Sequence, residues 1–76
     1  MNYEDLFAIW NDDGLLIRWR LSKDELVIFC KGVNIEAGSF LELRMNRGEG
    51  IEKGKKYEIS SEECTYYWSY EEKVQD

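Results

Sequence analysis

The amino-acid sequence predicts an all-β fold, a small antiparallel barrel or curled meander of five or six strands. Turn signals divide the chain at short intervals, several segments between them alternate apolar and polar residues, and aromatic residues make up 14% of the chain. Alternation with a period of two is typical of strands with one buried face. Because 76 residues hold one hydrophobic core, we expect a single compact domain over residues 1–76.

The first predicted element is a hairpin. Asn11–Gly14 lies between an apolar run, Leu6–Trp10, and the alternating segment Leu15–Leu21. An Asp-Gly pair between two apolar runs favours a tight turn with positive φ. In the second strand, the alternation predicts that Leu15, Ile17, Trp19 and Leu21 share one face and that Leu16, Arg18 and Arg20 share the other.

Further strands are predicted from residue type and alternation. They are Glu25–Val33, Phe40–Asn46, Lys56–Ile59 and Cys64–Tyr70. Residues 34–39 are predicted to form a loop, and the glycine-containing residues 47–55 a longer one. In the last strand, the alternation predicts that Trp68 points toward the core and Tyr67 away from it.

Two segments also contain helix signals. Ser22–Glu25 matches a capping box, and apolar residues follow it at the helical spacing i, i+3, i+4, i+7. Ser60–Glu63 matches a second capping box. Since β-branched and aromatic residues, which favour strands, follow both boxes, we expect a hairpin at the first and a strand at the second. The alternative is an α+β fold with a helix at 22–32, at 61–73, or at both.

The residue types argue against an enzyme, a metal site and a bound cofactor. The chain has no His, which removes the commonest general base and the usual partner of a Ser or Cys nucleophile. Cys30 and Cys64 are expected to be buried, reduced thiols, because two thiolates do not complete a zinc site. The loop at 47–55 lacks the order of a phosphate-binding loop and contains two Glu, which would repel phosphate.

Acidic residues are concentrated at the two ends of the chain. The formal net charge is −6, and residues 1–13 and 62–76 each contribute −4, which leaves +2 for the middle. If the two ends lie side by side they form one acidic patch, and an exposed aromatic residue within it is typical of a binding surface. The predicted partner-binding residues are Asp12, Asp13, Glu62, Glu63, Tyr67, Glu71 and Glu72.

The small size, acidity and aromatic density resemble, in composition only, the compact acidic inhibitors that phages and other mobile elements encode. Such inhibitors, like immunity proteins, cover a basic surface of a nucleic-acid-related or host-defence enzyme. We therefore predict a protein-interaction module with an inhibitory function and a basic protein surface as its partner. The exposed strand edges of so small a domain also offer a site for homodimer formation.

Two alternative functions stay open. A small β-barrel that binds single-stranded nucleic acid would use aromatic residues and a basic stripe, for which the candidates are Arg18, Arg20 and Arg44. The net charge of −6 argues against it, because phosphate contacts require positive potential. The other alternative is a small-molecule binder with an aromatic pocket lined by Trp10, Trp19, Trp68 and the tyrosines.

Neither a membrane span nor a signal peptide is predicted. The longest uninterrupted apolar runs, Leu6–Trp10 and Leu26–Cys30, have five residues each, whereas a span needs about 20. The start of the chain lacks a basic region followed by an apolar stretch and a small-residue cleavage site. We expect a cytoplasmic protein, located in the host cytoplasm if a phage encodes it.

Overall fold

The computed structural model describes the backbone of residues 3–75 and the side chains of residues 6–71. Within this range, one open sheet of four antiparallel strands packs against two helices, so the fold is α+β and the all-β prediction is wrong. The elements are β1 (Tyr3–Trp10), β2 (Leu16–Leu21), α1 (Lys23–Val33), α2 (Ile35–Arg47), β3 (Lys56–Ser60) and β4 (Thr65–Gln75).

The strands lie in the order β2-β1-β4-β3, and each neighbouring pair is antiparallel. β1 and β4 form the central pair, with Trp10 opposite Tyr67 near one end and Tyr3 opposite Gln75 at the other. β2 and β3 are the edge strands. Because β1 and β4 run in opposite directions, the β1–β2 turn and the β3–β4 turn lie at the same end of the sheet.

The predicted turn of the first hairpin is confirmed. Asn11 Oδ1 accepts hydrogen bonds from the backbone N–H groups of Asp13 and Leu15, each at 2.9 Å. Gly14 has a φ of 82° and donates its N–H to the Asn11 carbonyl at 3.0 Å. The side chain of Asn11 therefore holds a turn that needs glycine at its left-handed position.

β2 is an irregular edge strand. Two register shifts interrupt its pairing with β1, and Arg20 has a left-handed backbone conformation with a φ of 57°. Extra residues on one strand of a pair bend that strand and break its alternation. Residues 15–20 are all exposed, and Arg18 shares a groove with Leu21, which was expected on the opposite face. The predicted two-faced arrangement of this strand is therefore wrong.

The first capping box begins a helix, so the hairpin predicted here is wrong. Ser22 Oγ accepts a hydrogen bond from the Glu25 N–H at 3.2 Å, and Glu25 Oε1 accepts one from the Ser22 N–H at 3.0 Å. Hydrogen bonds from the backbone and the side chain of Ser22 also hold the pKa of Glu25 below its ordinary value. Leu26 and Cys30, one turn apart, are fully buried against the sheet. Local capping and this burial outweigh the strand preference of the β-branched residues between them.

Asn34 alone joins the two helices. Its backbone N–H donates to the Cys30 carbonyl at 2.9 Å, and its Oδ1 accepts from the Ala37 N–H at 3.1 Å, which caps the start of α2. Its Nδ2 donates to the carbonyl of Ser60, the last residue of β3, at 3.1 Å. One side chain thus begins a helix and ties the helix junction to the sheet.

α2 covers the loop predicted at 34–39 and the strand predicted at 40–46, and both of those predictions are wrong. Residues at i and i+4 share a face in a strand and in a helix, so Leu41 and Met45 are compatible with both. Leu43 distinguishes the two structures. In a strand, Leu43 would lie on the same face as Leu41 and Met45. In the observed helix, Leu41 is buried and Leu43 is 53% exposed.

α2 packs closely against α1. A Cβ atom on Gly38 would lie 2.6 Å from the backbone nitrogen of Lys31, so only glycine permits the observed approach. Beside this contact, Lys31 Nζ forms an ion pair with Glu42 Oε1 at 3.0 Å. The absence of a side chain at one position therefore sets the distance between the helices.

The hydrophobic core lies between the sheet and the helices. Its buried members are Phe7, Ile9, Leu26, Cys30, Leu41, Ile59 and Trp68. The ring of Trp68 stacks on Tyr57 with centroids 4.6 Å apart and meets Phe7 edge-on at 6.1 Å. Aromatic pairs of this kind add stabilisation beyond the area they bury.

The strands predicted near the end of the chain are confirmed. β3 and β4 pair from Lys56 opposite Ser69 to Ser60 opposite Thr65. The second capping box forms the turn between them, where the Ser61 N–H donates to the Cys64 carbonyl at 2.8 Å. The strand expected there is correct, and the alternative helix at 61–73 does not form.

The two cysteines are free thiols in different surroundings. Cys30 is buried in the core, and burial raises its pKa to about 12. Cys64 is half-buried in the β3–β4 turn, with its Sγ 3.5 Å from Ser61 Oγ. The expectation of a buried thiol therefore holds for Cys30, while Cys64 is partly accessible.

Candidate functional site

The sheet order gathers exposed carboxylates at one end of the sheet. Asp12 and Asp13 lie in the β1–β2 turn, and Glu62 and Glu63 lie in the β3–β4 turn. Glu36 joins them, because the hydrogen bond from Asn34 to Ser60 holds the first turn of α2 at this end. We call these five exposed residues the acidic end.

The acidic end has no neutralising partner among the described side chains. Within residues 6–71, the ion pairs are Lys31–Glu42 and Arg47–Glu49, which leaves the five carboxylates unpaired. Several like charges at one end of a small domain produce a strong local potential, and such a potential attracts basic surfaces and accelerates association with them.

Two aromatic residues lie beside the acidic end on the sheet face away from the helices. Ile9 and Trp68 point into the core, so their chain neighbours Trp10 and Tyr67 lie on the opposite face, paired in register. Trp10 Nε1 donates to Ser69 Oγ at 3.0 Å. Both aromatic side chains are half-buried, which leaves part of each ring for contact with another molecule.

A lysine rests on the first of these rings. Lys56 Nζ lies 3.9 Å from the centroid of the Trp10 ring, close enough for a cation–π interaction. In β3, Glu58 is the register partner of Tyr67 and is exposed. The aromatic pair is thus bordered by a carboxylate on its β3 side and by the acidic end beyond.

The other two acidic residues predicted for the patch do not lie with it. Glu71 is four residues along β4 from Tyr67, which corresponds to about 13 Å. It follows Tyr70 at the register shift between β1 and β4, away from both turns. The side chain of Glu72 lies outside the described residues. Glu71 belongs to the predicted patch because it is close to the end of the chain in sequence. In the sheet, β4 runs away from the β3–β4 turn, so Glu71 lies far from both turns.

The predicted basic stripe is divided between the two edges of the sheet. Arg18 and Arg20 belong to β2, and the Arg20 guanidinium lies 5.6 Å from the Trp19 ring centroid. Arg44 belongs to α2 and lies beside β3, with its guanidinium 5.7 Å from the Tyr57 ring centroid. Since β2 and β3 are three strand spacings apart, about 14 Å, the three arginines do not form a continuous stripe.

The three tryptophans proposed for an aromatic pocket are also separated. Trp68 is in the core, Trp10 lies on the opposite face of the sheet, and Trp19 is 63% exposed on β2. A groove of about 250 Å³ does open between β2 and α1, and Trp19 is not among its lining residues. The lining consists of Arg18, Leu21, Glu25, Ile28 and Phe29.

The sequence-based site prediction missed one surface. Large apolar side chains are exposed on Leu15, just before β2, on Leu16, Ile17 and Trp19 of β2, and on Ile28, which lines the groove. Exposed apolar side chains grouped on an edge strand are typical of interaction surfaces. The consecutive apolar residues Leu15–Ile17 were the available signal. A strand with one exposed face normally alternates apolar and polar residues, so three apolar residues in succession place at least one of them on the exposed face.

Two further features are absent from the part of the chain that the structure describes. No group of three or more Cys, Asp or Glu side chains is arranged to hold a metal ion. Neither helix is long and apolar enough to cross a membrane.

Comparison with known proteins gives no relative. No protein-family model matches the chain, and neither a curated protein nor a solved structure is similar enough to match it.

Proposed function

We propose that this protein is a non-enzymatic interaction module that inhibits a nucleic-acid-related or defence enzyme by covering a basic surface of it with the acidic end. The observation that supports this proposal most strongly is the sheet order. It places two acidic turns and the first turn of α2 at one end of the molecule, with Trp10 and Tyr67 beside them.

The arrangement suits recognition of a basic surface in two ways. The carboxylates lie in exposed turns at the surface, where they can contact a partner directly. The half-buried aromatic rings lie next to them, and aromatic residues supply much of the contact energy at interface centres. A nucleic-acid enzyme offers the matching surface, since its substrate groove is lined with lysine and arginine.

Charge reversal at one of the turns tests this proposal. Glu62→Lys/Glu63→Lys replaces two exposed carboxylates that make no described ion pair. We expect the double variant to bind the inhibited enzyme, captured from the native host, at least tenfold more weakly, or about 1.4 kcal/mol. Binding of the unchanged protein should weaken steeply between about 0.05 and 0.3 M salt.

The matched control carries the same charge change at a different place. Glu49→Lys/Glu52→Lys alters two exposed glutamates of the loop between α2 and β3. We expect the affinity of this control to change less than about threefold. Equal losses in both double variants would reject the acidic end as the site. Retention of a labelled oligonucleotide by the isolated protein at about 0.1 M salt would favour direct nucleic-acid binding instead.

A further inference from the structure

The two edges of the sheet differ in how much apolar surface they expose. β3 is short and exposes Lys56 and Glu58, charges that discourage another strand from pairing with it. β2 has no strand neighbour on its outer side within the described part of the chain. It also exposes the apolar residues Leu16, Ile17 and Trp19.

The exposed apolar surface at β2 is large for a domain of this size. We call the side chains of Leu15, Leu16, Ile17, Trp19 and Ile28, together with the groove that Ile28 lines, the β2–α1 surface. From their exposed fractions these residues present on the order of 500–600 Å² per copy. Two such surfaces in full contact would bury at most about 1,000–1,200 Å², which is the lower limit for a specific interface.

The charges around β2 are self-complementary. The turn that precedes β2 carries Asp12 and Asp13, and Arg18 lies in the strand five residues after Asp13. If two copies meet with their β2 strands antiparallel about a two-fold axis, the aspartates of each copy approach the arginine of the other. Leu15 and Leu16, which lie between these charges, then face Leu16 and Leu15 of the other copy.

We infer that the β2–α1 surface is the interface of a homodimer in which the two β2 strands are antiparallel. The contact is made by side chains rather than by a continuous eight-stranded sheet, because the register shifts in β2 distort its outer edge. The dimer does not involve Glu62 and Glu63, which lie in the other turn, but it does bring Asp12 and Asp13 of the acidic end close to the partner copy.

Lysine substitutions at two matched isoleucines test the location of the interface. Ile28 is 71% exposed on α1 within the β2–α1 surface, and Ile35 is 69% exposed on α2 outside it. Sedimentation equilibrium between about 1 and 500 µM should show the unchanged protein as a dimer at the upper concentrations. We expect Ile28→Lys to raise the dissociation constant at least tenfold and Ile35→Lys to change it less than twofold.

Leu15→Lys provides a second variant, at the residue just before β2, and it should weaken the dimer as Ile28→Lys does. Circular dichroism of each variant shows that a change in mass does not come from unfolding. A monomeric unchanged protein at 500 µM, or equal weakening by Ile28→Lys and Ile35→Lys, would overturn the inference. Open-ended assembly would indicate a head-to-tail contact instead of a two-fold one and would overturn it as well.

A charge exchange tests the antiparallel arrangement. Arg18→Glu should weaken the dimer, because it places a carboxylate near the partner's Asp12 and Asp13. Adding Asp13→Arg to the same chain should restore most of the lost affinity. A further loss in the double variant would show that these residues do not face each other, and the antiparallel arrangement would then be wrong.

Discussion

Individual side chains have separate tasks in this small domain. Asn11 forms the first turn, Ser22 begins α1, and Asn34 links both helices to the sheet. Each of these polar residues hydrogen-bonds to backbone groups that would otherwise lack partners at the ends of elements. The ends of the elements are thus specified by single residues.

Cys30 and Cys64 should differ in reactivity. The thiolate is the reactive form, and burial raises the pKa of Cys30 to about 12, so this thiol stays protonated at neutral pH. We expect iodoacetamide at pH 8 to add one group to the native protein, at Cys64, and two groups in urea, as measured by intact mass. Cys64→Ser should give no addition in the native protein. Rapid labelling of that variant would show that the core opens around Cys30.

The same thiol should make the protein sensitive to alkali. In the unfolded chain Cys30 ionises near its ordinary pKa, whereas in the folded protein it stays neutral to about pH 12. Between these two values the unfolded state loses its proton first, so the free energy of unfolding falls as pH rises. Urea denaturation from pH 7 to pH 10.5 should show this fall, and Cys30→Val should reduce it. An equal fall in that variant would assign the effect to other groups.

At the scale of the elements, the close approach of α1 and α2 depends on Gly38. An alanine there would place its Cβ 2.6 Å from the Lys31 backbone nitrogen and force the helices apart. We expect Gly38→Ala to lower the free energy of unfolding by about 1–3 kcal/mol in urea denaturation.

Gly32 provides the matched control for this substitution. It lies in α1, and a Cβ there would have no neighbour within 4 Å. Gly32→Ala should therefore stabilise the protein by about 0.5–1 kcal/mol, since alanine favours a helix. Destabilisation by both substitutions would mean that the space between the helices is not the cause.

The junction between the helices should be sensitive to Asn34. Asn34→Ala removes the cap of α2 and the hydrogen bond to Ser60, and we expect a loss of about 1–3 kcal/mol. Asn34→Ser keeps a capping oxygen but lacks the amide that donates to Ser60. Its free energy of unfolding should therefore lie between those of the unchanged protein and Asn34→Ala. If the serine variant were as unstable as the alanine variant, the link to the sheet would be the dominant contribution.

The sequence predicted β1, β3, β4 and the first turn, because the apolar run of β1, the alternation in β3 and β4 and the turn residues beside β1 all favour strands joined by turns. It failed at α1 and α2. For α1, the capping box favours a helix and the β-branched Val27 and Ile28 favour a strand, and the sequence alone does not decide between these signals. For α2, Leu41 and Met45 repeat at a spacing that fits both structures, and burial of Leu41 in the core decides between them. That core includes residues distant in sequence, such as Phe7 and Trp68, and a local pattern does not show it.

At the scale of the whole molecule, the charges are arranged by topology. The sequence predicted that Asp12, Asp13, Glu62, Glu63 and Tyr67 belong to one surface, and the sheet order brings them to one end. Glu36 was missed, because its position depends on how Asn34 ties the helices to β3. Glu71 was included because it is near the end of the chain, although the direction of β4 takes it away from the turns. Strand order was the missing information in both cases.

The two proposed surfaces share the Asp12–Asp13 turn, but each also has residues that the other does not use, so they can be tested separately. Glu62→Lys/Glu63→Lys should leave the molecular mass in solution unchanged, and Ile28→Lys should leave the affinity for a basic partner unchanged. If either substitution altered both properties, binding and dimer formation would be linked, and the Asp12–Asp13 turn, which borders both surfaces, would be the place of that link.

The separation of the three tryptophans has a practical consequence. Trp68 is in the core, Trp10 is beside the acidic end, and Trp19 is on the β2–α1 surface. Each indole therefore reports a different event through its fluorescence: unfolding for Trp68, partner binding for Trp10 and dimer formation for Trp19. Variants that retain one tryptophan at a time would give the protein three intrinsic optical probes, and iodide should quench Trp19 in the monomer much more than Trp68.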